Sequence, residues 1–309
     1  MAAVVVACVV ALAAAKGLQS ALQTTLNGLV TGSYLALAAV GLTFIYGILR
    51  LINFAQGDFL TFAAYMALFL HLRAHGSFVP SILFAIVATA ALAVVLELGL
   101  WGPLRRRGAG TLELILSTIG LAFLIRYTIQ FAAGADLRQL PVNATSSYAL
   151  GRGVTIGQTI AATAIASYVV LVLVGLLLRY TSPGKQMRAL ADNLDLAETS
   201  GLNTRRLIIV VWAVGAGLAG LAGVFYAAST GSFDPNFGFT LLLPLFAAIL
   251  VGGAGNPYGA LAGGVLLGLV EEWSTLFIGT GWKLVVGFVV LLVTLLIRPQ
   301  GLFTSATRI

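Results

Sequence analysis

The stretch LINFAQGDF, residues 51–59, separates two long apolar runs with Asn53, Gln56, Gly57 and Asp58. An Asn, a Gln, a Gly and an Asp so close together argue against a helix interior and for a turn or unwound segment. In lipid, each freed backbone N–H or C=O would cost several kcal/mol. The break therefore faces protein, water or a passing solute, and which of these it faces decides what the chain does.

Composition supplies the lipid. Of 309 residues, 60% are apolar and only 9% charged, with a mean hydropathy of +1.03, whereas soluble domains carry roughly 25% charged residues. The expected fold is an all-α polytopic membrane protein with roughly 8–10 transmembrane or half-spanning helices, two of the segments being broken. The net charge of +7 resides in the connections between apolar spans, where it sets topology and is no signal for nucleic acid. Cys8 is the single cysteine of the sequence, so no disulfide or thiolate metal centre can form within one chain. His71 and His75 are too isolated to suggest a zinc site. There is no G-x-x-x-x-G-K-[ST] phosphate loop, and no serine, histidine and carboxylate group sits in a motif context. Neither enzymatic activity nor a cofactor is expected of this chain alone.

Apolar runs long enough for about 30 Å of hydrocarbon fall at 26–49, 59–72, 79–101, 112–133, 156–179, 207–229 and 283–297. They make one transmembrane domain, 1–309, with no linker or soluble unit. The opening MAAVVVACVVALAAA, residues 1–15, reads as an extra N-terminal helix, because no Lys or Arg precedes it as a signal sequence would require. Basic residues lie in LRRR at 104–107, in the 179–206 connection and in the tail from Arg298, which places all three in the cytoplasm. The remaining apolar run, 239–273, then starts and finishes outside, with GGAGNPYG at its inner tip. Gly252, Gly253, Gly255 and Asn256 thus enter the membrane from the same side as Asn53, Gln56, Gly57 and Asp58. Helices broken near the midplane are how transporters build substrate sites. The alternatives are helix capping for the polar residues and close helix packing for the glycines. Arg126 is expected to snorkel to the outer headgroups, and Glu97, two turns before Arg105 in sequence, to sit at the inner interface. Glu271 and Glu272 fall at the outer end of the interrupted run.

The longest polar connection is RYTSPGKQMRALADNLDLAETSGLNTRR, 179–206. Met187, Leu190, Leu194 and Ala197 recur at helical spacing. Pro183 suits a helix start, Gly201 a helix end, and Asn193 can cap a second short helix. Such an amphipathic element either rests on headgroups or docks a cytoplasmic partner in the helix-in-groove mode.

Four stretches together carry a resemblance: NGLVTGSYLALAAVGLTFIYGILRLINFAQGDF, the 179–206 segment, GAGLAGLAGVFYA at 215–227 and LVGGAGNPYGALAGGVLLGLVEE at 250–272. In this order the chain resembles the permease subunits of branched-chain amino acid ABC importers, the LivH type. The resemblance implies ATP bound and hydrolysed by separate cytoplasmic subunits, an extracytoplasmic solute-binding protein, a second related permease, and a bacterial inner membrane. It makes Gly184, Met187, Arg188, Leu190, Asp192, Asn193, Leu194, Ala197 and Gly201 the ATPase-coupling element, and the two breaks the translocation route. It also lets Glu271 and Glu272 meet a periplasmic partner, against plain solvation. Family members usually show His, Gly and Glu after NFA, where this chain has Gln56, Gly57 and Asp58. A branched-chain or other neutral amino acid is the implied solute, with urea or a short amide as the near alternative. An ion-coupled transporter or channel would also have broken helices, but no need of a docking loop.

Overall fold

Helices carry nearly all of the chain in the computed structural model, which describes residues 2–74, 78–140, 146–151 and 153–303. They are α1 (Ala2–Lys16), α2 (Leu18–Leu49), α3 (Gln56–Ala74), α4 (Phe78–Leu96), α5 (Gly102–Arg106), α6 (Thr111–Ala133), α7 (Gln158–Tyr180), α8 (Ser182–Asp192), α9 (Leu194–Thr199), α10 (Thr204–Thr230), α11 (Phe237–Gly252), α12 (Pro257–Ser274) and α13 (Lys283–Ile297). A π-turn, Glu97–Trp101, joins α4 to α5. Among the described residues, six helices are long and apolar enough to cross a membrane, and α3, α11 and α12 pack among them. His75, considered with His71 above, lies outside the described residues.

The chain order gives the bundle two ends. One gathers the 50–55 break, the α5–α6 turn, α8 and α9, the 253–256 break and the segment after α13. The other carries the α1–α2 turn, the end of α3, the start of α4 and a small antiparallel hairpin, β1 (Ser147–Ala149) and β2 (Thr155–Gly157). The all-α expectation did not include this hairpin. Gln23 of α2 anchors it by accepting the Thr155 N–H and donating to the Thr155 carbonyl, both at 3.0 Å.

Glycine decides which helices are central. In their most apolar windows, α2 and α10 are 89% and 72% buried, against 22% for α7 and 11% for the span containing α13. Helices in lipid gain little from expelling water, so close van der Waals packing drives their association and small residues permit it. Gly28 and Gly32 of α2 face the backbone of α12, and Gly264 and Gly268 of α12 face the backbone of α2. Gly41 and Gly215 bring α2 and α10 together in the same way, and Gly223 seats α10 on the backbone of Leu60 in α3. Lipid receives the opposite kind of surface: Phe131 on α6 and Leu296 on α13 are among its most exposed side chains.

Candidate functional site

At the first break, α2 ends in Arg50, whose left-handed backbone (φ 51°) returns its N–H to the Tyr46 carbonyl at 2.9 Å. The next residues, 51–53, are irregular and lead into a turn at 54–55. Ile52 and Phe54 share a cavity of about 270 Å³ with Leu42 and Tyr46 of α2, Phe246 of α11 and Ala254. Backbone groups released by the break find partners inside the protein. Phe54 N–H donates to Thr118 Oγ1 on α6 at 3.2 Å, the same hydroxyl lies 3.4 Å from the Ile52 carbonyl, and Ala55 N–H donates to Asn53 Oδ1 at 3.1 Å. Asn53 Nδ2 then donates to Gln56 Oε1 at 3.3 Å. Both amides are fully buried, and Gln56 Nε2 has no partner among the described residues. A buried donor left unpaired costs about 1–3 kcal/mol.

Asp58, in the first turn of α3, carries the charge at this break, and it is answered. Arg126 donates to it through Nε at 2.9 Å and through a terminal amino nitrogen at 3.0 Å, a bidentate pair with both side chains buried. Two rings enclose the guanidinium, Phe239 at 4.2 Å and Phe123 at 5.6 Å from their centroids. Arg126 therefore does not snorkel to the outer headgroups. Helical side chains lean toward the N-terminus of their helix, so the arginine reaches back along α6 to the start of α3. Gly57 completes the junction. It meets Gly238 of α11 backbone to backbone, and the Gly238 N–H donates to Thr61 Oγ1 at 3.2 Å.

The second break is closed by similar means. Gly253 and Gly255 have φ of 104° and 89°, a region open to glycine at little cost. Asn256 caps α12 by accepting from Tyr258 N–H and Gly259 N–H at 3.1 and 3.3 Å. The chain after α13 folds over the break, where Leu302 N–H donates to the Val251 carbonyl at 2.8 Å and Asn256 Nδ2 to the Phe303 carbonyl at 3.4 Å. Gly252 and Gly259 pack backbone to backbone, and Gly255 lies against Gly47 at the end of α2. Ile52 and Phe54 of the first break and Ala254 of the second line one apolar cavity, whereas Gly57 and Asp58 lie deeper, at the opposite end of α11 from Gly252. For the glycines, close packing is directly visible.

The 180–206 connection forms the two short helices expected. Thr181 Oγ1 accepts from Gly184 N–H at 3.2 Å to cap α8, Asn193 Oδ1 accepts from Leu196 N–H at 2.9 Å to cap α9, and Gly201 (φ 81°) follows the end of α9. The apolar stripe, however, is already occupied by its own chain. Met187, Leu190 and Ala197 are buried in the bundle core and Leu194 is half-buried, with α8 packed on α7, α2 and α10. Gly184 fits beneath the last turn of α7, where a Cβ would strike the backbone of Leu177 and Leu178. The stripe is thus unavailable to a partner's groove. What the loop presents outward is Lys185, Arg188, Asp192, Asp195, Leu196 and Glu198.

Residue-by-residue reading missed the partners of these groups: Thr118, Thr61 and Phe239, and Arg126 as the mate of Asp58. One signal was available, since a lone Asp and a lone Arg in neighbouring apolar spans are each costly until paired. Glu97, expected only at the inner interface, pairs with Arg105 across the π-turn. Glu271 and Glu272 are buried and not solvated. They line a second cavity at the opposite end of the bundle.

A polytopic helical bundle with two inward breaks and a seated amphipathic loop at one end is the architecture of a membrane permease. Residues 24–295 match the family model described as branched-chain amino acid transport system / permease component, and the chain belongs to that family. It is 31% identical to the high-affinity branched-chain amino acid transport system permease protein BraD of Pseudomonas aeruginosa, over 91% of this chain and 95% of that protein. It is 30% identical to LivH of Escherichia coli (strain K12), a permease of the same description, over 91% of this chain and 94% of that one. No solved structure matches the chain significantly.

The buried pair can be tested by a mutant cycle. Removing one partner of a buried ion pair leaves an uncompensated charge and costs about 3–5 kcal/mol, whereas replacing both can be nearly neutral. Asp58→Asn and Arg126→Leu should each lower the unfolding midpoint in detergent sharply, and the double variant should recover much of the loss. Additive losses in the double variant would show that the two residues act separately.

Proposed function

We propose that this protein is the membrane-spanning subunit of an ABC importer in a bacterial inner membrane, passing branched-chain or other neutral amino acids. A separate cytoplasmic ATPase drives it, an extracytoplasmic binding protein delivers the solute, and a second related permease completes the membrane portion. The observation that carries this reading is the break itself. Its one carboxylate, Asp58, is neutralised by Arg126, and the adjoining cavity is lined by aliphatic and aromatic side chains. Transferring a net charge through such a surface is expensive, while a solute with no net charge and an apolar side chain suits it. Asn53, Gln56, Gly57 and Asp58, and further along α11 Gly252, Gly253, Gly255 and Asn256, would line the translocation route. Ile52 and Leu250 at its edge are exposed, which leaves this face for the second permease to cover. The relatives named for branched-chain amino acid transport support the solute assignment.

Gln56 gives the urea or short-amide alternative its one specific support, because its Nε2 donor is unpaired. Uptake by the permease pair reconstituted with its ATPase and cognate binding protein separates the two. Labelled leucine uptake should be competed by isoleucine and valine, and left unchanged by aspartate, lysine and urea. Competition by urea with none by valine would transfer the assignment to amides, and competition by aspartate or lysine would overturn the neutral-solute claim.

The coupling role divides α8–α9 by face. Leu190→Asp buries a carboxylate where Leu190 is 1% exposed, and should destabilise the permease itself by about 2–5 kcal/mol. Arg188→Glu with Asp195→Lys alters only the outer face. It should leave permease stability within about 0.5 kcal/mol while greatly reducing co-purification of the ATPase. Full ATPase recovery with the charge-reversed face would remove this loop from the coupling contact.

A further inference from the structure

We propose that the polar cavity at the end of the bundle away from the second break binds a zwitterionic α-amino acid, with Glu271 receiving its ammonium group and Lys283 its carboxylate. The proposal rests on the transport reading above and adds a place where the solute is held before it reaches the breaks. The cavity, of about 560 Å³, lies between the first half of α2, the end of α10, the start of α11, the end of α12 and the start of α13. That volume falls within the range of small-molecule pockets, roughly 300–1,000 Å³. By the distribution of basic loops this end faces outward, where a delivered solute would arrive.

The charges in the wall are not balanced. Glu272 is satisfied, since its Oε1 accepts from Lys283 Nζ at 2.6 Å and from Thr31 Oγ1 at 3.2 Å. Glu271 is not. It is 6% exposed, it lines the cavity, and its Oε1 has no hydrogen-bond partner among the described residues. Gly287 of α13 leaves the room this oxygen occupies, because a Cβ there would come within 2.7 Å of it. A buried carboxylate without a partner is unfavourable, and ionisable groups inside a membrane protein mark solute or ion pathways. Among the charged lining residues, two carboxylates face one ammonium, so a ligand cation would complete the set.

Lys283 narrows the choice of cation. Its ammonium has three donors, of which Glu272 takes one, and it would repel a simple amine while attracting a carboxylate. A ligand bearing both groups answers both side chains. The remaining wall offers Val30, Leu35, Ile160, Leu241 and Leu284 to an aliphatic side chain. An α-amino acid with a branched apolar side chain has this distribution of charge and surface.

The test uses the intact permease–ATPase complex, purified without its binding protein, and equilibrium binding of labelled L-leucine. Competitors are unlabelled leucine, 4-methylpentanoate, which lacks the ammonium group, and 3-methylbutylamine, which lacks the carboxylate. In the wild type leucine should compete far better than either. Glu271→Gln should weaken leucine about tenfold or more and abolish its advantage over 4-methylpentanoate. Lys283→Gln should abolish its advantage over 3-methylbutylamine. These preferences are ratios and do not depend on how much of each variant folds. Unchanged affinity and preference in Glu271→Gln would overturn the site and leave the transport reading standing, provided the full system takes up leucine. Absence of saturable binding to a wild-type complex that still transports leucine would also overturn it. A full system that moves urea and not leucine would overturn the transport reading, and this site with it.

Discussion

Asp58 and Arg126 solve a problem created by the unwinding of a helix inside an apolar bundle. Stopping α2 at Leu49 and restarting at Gln56 frees backbone groups that lipid cannot satisfy. It also brings the first turn of α3, with its carboxylate, into the protein interior. The bidentate contact from α6 neutralises that carboxylate, and Phe239 of α11 closes over the guanidinium. One interaction therefore ties α3, α6 and α11 at the break. Thr118 of α6 holds the preceding irregular residues by their backbone. Gly57 and Gly238 let α3 and α11 approach closely enough for the ring to reach the arginine.

The rest of the bundle is arranged around that junction by backbone proximity. α2 and α10 are central because each offers glycine to its neighbours. The same two helices, with α7, carry the seated face of α8. A force applied to the outer face of the loop consequently bears on α2, whose last turn leads into the first break, and on α10, which supports α3 at Gly223. The apolar stripe is a mechanical seat, and the charged side is the one left for a partner.

Much of this was legible in the sequence because lipid imposes simple rules. Spans follow from length and hydropathy, and both breaks were visible as Gly, Asn and Gln clusters inside apolar runs. Basic loops ordered the ends, and Asn193, Pro183 and Gly201 marked the short helices through local hydrogen bonding and φ preference. Arg126 was misplaced because its distance along α6 indicates depth but not which neighbour lies beside it. The direction of the 187–197 stripe was open for a related reason: an amphipathic period says that one side is buried and does not say against what. Glu271 and Glu272, at the end of an apolar run, could be read as solvated or as meeting a partner, and only the packing of α13 across α12 encloses them. Pairwise facts of this kind depend on which helices are neighbours, which no single-sequence period contains.

The central claim is that the break held by Asp58 and Arg126 lies on the solute route and changes its surroundings during transport. Gln56 is the residue to ask, being fully buried in the packing described with an unpaired amide donor. In a Cys8→Ala background, a thiol introduced as Gln56→Cys should be labelled by a small polar methanethiosulfonate at rates set by the ATPase. Labelling should be slow in the resting complex and much faster in one of the nucleotide-bound states, with protection by leucine. A thiol that stays unreactive in every nucleotide state, in a complex that still transports, would mean that the break is a packing device and that the solute passes elsewhere.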